Sequence, residues 1–153
     1  MGIFRGQGAT EYLVLLAVVL IVALVSVALL GFFPGMAADA RMTQSQSYWR
    51  GQARPFAILD MSINTTNATL SIENMEANGP YTIAANGILI NGLGTTASTA
   101  FAAGETKTMT VTGAFTTCTS GSVYDYNVTI SYTTPSSVTS KQYGTKNIIG
   151  KCI

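Results

Sequence analysis

The 153-residue chain has no histidine, only two cysteines and four prolines, and charged residues make up just 10% of it. Ordinary soluble domains carry about 25% charge. Each shortage excludes something. Without histidine, neither a His-ligated metal site nor a His-dependent catalytic triad can be built. With 8 Lys+Arg against 7 Asp+Glu, the net charge is +1. That leaves no basic excess to neutralise phosphates, which excludes a strongly basic nucleic-acid binder. A hydrophobic content of 48% excludes a charge-rich disordered tail. The acids after residue 50 are Asp60, Glu73, Glu76, Glu105 and Asp125. Their spacing marks no carboxylate pair, so no enzyme and no cofactor are expected.

What is present is unevenly distributed. Leu13 to Phe33 holds no charged residue, and only Ser26 and Gly31 interrupt its apolar run. As a helix, this segment would extend about 31 Å, the thickness of bilayer hydrocarbon. Phe32-Phe33-Pro34-Gly35 should bend or end that helix, because proline disfavours helical geometry in the residue before it. Good helix formers follow, and a kinked helix continuing to Trp49 is expected. From Arg50 onward the composition turns to Thr, Ser, Asn and Gly with scattered Val, Ile and Tyr. The chain contains 21 Thr, a residue suited to the outer face of strands.

Alternation places strands at Phe56–Ile63, Ala68–Asn74, Tyr81–Ile83 with Gly87–Ile90, Thr106–Thr112, Tyr124–Tyr132 and Val138–Tyr143. Turn signals separate them. In Tyr124–Tyr132 every even position is apolar or aromatic and every odd one polar, which predicts one long half-buried strand. Its tyrosines 124, 126 and 132 read as sandwich core rather than as a glycan-binding surface. The expected fold class is α+β: a long N-terminal hydrophobic helix, then a small antiparallel β-sandwich of six to eight strands, immunoglobulin-like.

Cys118 and Cys152 both fall in the β region. With no CxxC spacing and no histidine, a structural disulfide is the expected pairing, which implies an extracytoplasmic domain. Three N-x-S/T sequons occur, at Asn64, Asn67 and Asn127. Random placement of these residue types would give about two, so the number is no enrichment. The turn at Asn64–Asn67 is the most exposed expected acceptor, and Asn127 is expected on the wet face of its strand.

The N-terminus admits three readings. Ala38-Asp39-Ala40 has the form of a signal-peptidase site, but a 21-residue apolar run exceeds the 7–15 residues of a secretory h-region. A plain membrane anchor fits the length and leaves Gly6-Gln7 and Glu11 without a purpose. The third reading follows from Gly6-Gln7-Gly8-Ala9-Thr10-Glu11-Tyr12 directly preceding the apolar run. This resembles the class III signal peptide of archaeal type IV pilins. The resemblance covers residues 6 to about 33; the leader departs from the pattern in carrying a single basic residue, Arg5.

The resemblance implies a leader of residues 1–6, an assembly helix over 7–49 and an extracellular β domain over 50–153. It implies prepilin-peptidase cleavage between Gly6 and Gln7. It also implies an assembly role for Glu11, which falls at the fifth mature position, near the new amino terminus of a neighbouring subunit. The implied function is a structural subunit of a pilus that serves adhesion. Its implied partners are copies of itself, the prepilin peptidase, an assembly ATPase and a membrane platform protein, with the membrane holding the precursor and no nucleic acid involved. The alternative is a membrane-tethered minor pilin-like module that forms no long filaments.

Overall fold

A computed structural model describes the backbone of residues 7–153; the side chains of residue 7 and residues 32–35 are outside the description. The chain divides into two compact units between Ala40 and Arg41. Helix α1 spans Gln7–Gly51. Pro34 does not end it, and the helix continues past Trp49, in line with the expected continuation. One proline costs a helix interior about 3 kcal/mol, a local cost that the long helical runs on both sides can carry.

Within the first unit, Gly8 to Gly31 are exposed throughout. Apolar residues occupy every side of this stretch, and no polar stripe separates them. A helix apolar all round belongs in a hydrocarbon layer or among other helices. Among the described residues, it is the one helix long and apolar enough to cross a membrane.

The second unit takes in the end of α1 and nine strands. They are β1 Phe56–Ile63, β2 Asn67–Asn74, β3 Tyr81–Ile90, β4 Thr99–Phe101, β5 Thr106–Thr112, β6 Val123–Tyr126, β7 Val128–Thr133, β8 Thr139–Tyr143 and β9 Ile148–Lys151. One sheet has the order β1-β2-β5 and the other β4-β3-β7-β8; β6 and β9 form a separate two-stranded ribbon. All pairings are antiparallel. The two main sheets carry the strand order of an immunoglobulin-like sandwich, with β4 as the added edge strand beside β3.

The alternating patterns explain the core. Leu70 and Ile72 of β2, Ile83, Ile88 and Ile90 of β3, and Ile130 of β7 are fully buried between the sheets. Phe56 packs edge-on against Tyr81, Phe101 and Tyr132. The outward positions of β5 are Thr106, Thr108, Thr110 and Thr112, all exposed. A buried Gln142 ties the layers: its Nε2 donates to the Phe56 carbonyl at 2.8 Å and its Oε1 accepts the Phe56 N–H at 3.0 Å.

Three expectations need correction. The described residues form nine strands rather than six to eight, because β4 and β9 are only three and four residues long, too short for alternation to register. The single strand Tyr124–Tyr132 is two strands in different sheets: β6 pairs with β9, whereas β7 lies between β3 and β8. The switch occurs at Asn127, whose carbonyl accepts the Asn91 N–H at 2.8 Å instead of a ladder bond. Asn127 is thus exposed between strands, not on the wet face of one. The in-out alternation survives the switch, since Tyr124, Tyr126, Val128 and Ile130 are all buried. Strand β3 is one irregular strand whose register slips between Ile83 and Ile88. Gly87 sits in that slip, where a Cβ would lie 2.7 Å from the carbonyl oxygens of Ala84 and Ser131.

Candidate functional site

The residues singled out in the sequence are spread over several parts of the chain. Gly6 lies outside the described residues, and Gln7 opens α1. Glu11 is exposed on the apolar unit beside Thr10, Val14 and Leu15. It is the fifth residue of α1, and the first turn contains no acid. A helix-dipole role is therefore weak there, because that effect fades within the first turn. Beyond Glu11, fourteen Leu, Val and Ile side chains between residues 13 and 30 are each at least 43% exposed.

Cys118 and Cys152 are joined by a disulfide with a Cα–Cα distance of 5.4 Å, and both are buried. The Gly121 N–H donates to the Cys152 carbonyl and the Cys152 N–H to the Ser122 carbonyl, so the chain end is fastened twice over. Tyr124 and Tyr126 stack with centroids 5.6 Å apart and are core residues, and Tyr132 is half-buried against Phe56. Burial, followed by the negative charge of Asp60 and the neighbouring Tyr126, pushes the Tyr124 hydroxyl up to about 12.

Sequence reasoning missed how α1 enters the β unit. Residues 41, 45, 48 and 49 follow the i, i+4, i+7, i+8 spacing of one helix face. The Ser45 hydroxyl donates to the Asn147 carbonyl at 2.6 Å and accepts the Ile149 N–H at 3.1 Å. The Tyr48 hydroxyl accepts the Thr145 N–H at 3.2 Å. Trp49 is fully buried, and its indole N–H donates to the Lys146 carbonyl at 3.0 Å. A Cβ on Gly144 would clash with the Trp49 ring, so only glycine fits there. Arg41 pairs with Asp125 at 2.9 Å, and Asn147 Nδ2 donates to the other carboxylate oxygen at 2.7 Å. The signal in the sequence was the lone Trp49 beside Tyr48, at the point where the composition changes.

These groups border an open polar groove of about 410 Å³, lined among others by Arg41, Ser45, Asp125, Lys146 and Asn147. Several of its polar groups bond across from the end of α1 to the segment before β9 and into β9. Two acids elsewhere are paired with cations. Glu76 lies 3.6 Å from Arg54, and Glu105 lies 3.0 Å from Lys107. The Ala102 N–H and Lys107 hold the Glu105 carboxyl below its ordinary value. Among the described residues, no three His, Cys, Asp or Glu side chains converge as metal ligands.

The three sequons differ in setting. Asn64 stands in the turn between β1 and β2, where its Oδ1 accepts from Thr66 N at 2.9 Å, Asn67 N at 2.8 Å and Thr66 Oγ1 at 3.2 Å. Asn67 is the first residue of β2, half-buried, with Nδ2 donating to Thr66 Oγ1 at 3.3 Å. Asn127 is exposed directly before β7. No protein-family model, curated protein or solved structure matches the chain.

Proposed function

We propose that the chain is a filament subunit of the type IV pilin kind, cleaved between Gly6 and Gln7 and polymerised through the apolar part of α1. The observation that carries this reading is the uncharged run from Leu13 to Phe33, headed by Gly6-Gln7 and Glu11 and exposed on all sides from Leu13 to Gly31. Covering fourteen large aliphatic side chains is worth on the order of 20–40 kcal/mol. A membrane can cover them in the precursor, and neighbouring copies can cover them in a polymer. Aliphatic side chains with few rotamers suit close helix packing in either setting. Glu11 is then the one charge at the edge of the packed core. A buried carboxylate requires a partner, and the amino group released at Gln7 of an adjacent copy supplies one. The β unit, with its disulfide and hydroxyl-rich outer face, is the part displayed outside for adhesion. It carries out no catalysis.

The test is the N-terminal mass of the chain isolated from its cell, with electron microscopy of the same preparation. A start at Gln7 together with filaments is the expected result. A start at Asp39 or Arg41 would make the apolar run an ordinary signal, and an intact Met1 would make it a fixed anchor. The second reading, a processed but unpolymerised surface module, predicts the Gln7 start without filaments.

A further inference from the structure

The three sequons are equivalent as sequence and unequal as structure. We infer that Asn64 is the residue of this chain that carries an N-linked glycan, and that Asn67 and Asn127 stay bare. A transferase must bind the asparagine and the hydroxyl residue two positions later, together with the backbone between them. At Asn67 that backbone is β2, the central strand of its sheet, and the middle residue Ala68 is fully buried. At Asn127 it is β7, held between β3 and β8, and the middle residue Val128 is 2% exposed. Engaging either sequon means pulling a central strand out of the sandwich.

Asn64-Thr65-Thr66 lies wholly outside the strands, with Thr65 and Thr66 exposed. Its backbone is pinned by the Gly113 and Phe115 N–H groups, which donate to the Thr66 and Thr65 carbonyls at 3.0 and 2.9 Å. The turn therefore presents one conformer. Its side chain is also set for the reaction. Asn64 is half-buried, and three donors converge on its Oδ1, including the Thr66 hydroxyl, while none of these bonds uses Nδ2. Nδ2 attacks the anomeric carbon of a polyprenyl-phosphate-linked sugar. The new C–N bond forms as the bond from that carbon to the phosphate oxygen breaks. The lipid phosphate leaves with the electron pair, and Nδ2 gives up one proton to a base of the transferase. Oδ1 takes no part in the new bond, so the turn keeps its cap after modification.

The inference rests on the β unit being extracytoplasmic, as the proposed function requires, and the experiment separates the two. Site-resolved glycopeptide mass spectrometry of the chain from its native cell reads glycan and disulfide together. The expected result is an oxidised Cys118–Cys152 pair with a glycan on Asn64 alone. Asn64→Asp, whose carboxylate retains the turn's acceptor, should lose the whole increment; Asn67→Gln and Asn127→Gln should retain it. An oxidised pair with Asn64 bare, or a glycan on Asn67 or Asn127, would overturn the inference and leave the pilin reading standing. Free thiols with no glycan would overturn both.

Discussion

Glu11, Trp49, Tyr124 and Gln142 show how single side chains divide the tasks. Gln142 uses both ends of its amide to satisfy the N–H and C=O of Phe56 in the facing sheet. Replacing it with Leu would strand two buried backbone groups, at an expected cost of about 2–4 kcal/mol in denaturant unfolding. Tyr124 gives a pH signature. Its folded value lies near 12 against 10 in the unfolded chain, so the folded state holds the proton more tightly. Its contribution is intact below pH 10 and is lost as pH rises from 10 to 12. Chemical denaturation across that range should show the decline, and Tyr124→Phe should flatten it. Under the proposed function, Glu11 acts in assembly. Glu11→Ala should abolish filaments while leaving membrane retention of the precursor unchanged, as fractionation and microscopy would report.

At the scale of elements, the end of α1 acts as part of the β unit. Three side chains on one face reach the segment from β8 to β9, a fourth, Arg41, reaches Asp125 of β6, and Trp49 fills a space that Gly144 leaves open. Trp49→Ala should cost about 3–5 kcal/mol, measured as a fall in denaturant midpoint at unchanged slope. The Arg41–Asp125 pair is exposed, and its loss should cost under about 1 kcal/mol. The contrast between these two variants tests whether packing or charge holds the joint. Strand β7 illustrates a complementary point. The two-residue alternation specifies which side chains go inward, but the same alternation serves any sheet.

For the whole molecule, the disulfide joins residues 34 positions apart and holds β9 and the chain end beside β6. The chain-entropy model assigns a loop of that size about 4 kcal/mol. Reduction, or Cys118→Ser with Cys152→Ser, should lower the unfolding free energy of the β unit by up to that amount. The loss should appear first as hydrogen exchange in β6 and β9, the two-stranded ribbon with no further sheet neighbour.

The sequence by itself determined the two-part plan. A run of 21 uncharged residues can only be a membrane-length or packed helix, and the Thr-rich alternation after Arg50 can only be half-buried strands. The bounds of β1 and β5 and the inward side of β2 were legible for the same reason: local periodicity encodes burial. Tertiary structure alone decided the rest. The partner of each strand depends on contacts distant in sequence, so the change of sheet at Asn127, the short strands β4 and β9 and the Gln142 bridge left no local trace. The end of α1 was hidden for a related reason: residues 41–49 look polar in sequence, yet Ser45 and Trp49 are buried because the loop after β8 supplies the hydrogen-bond partners they need.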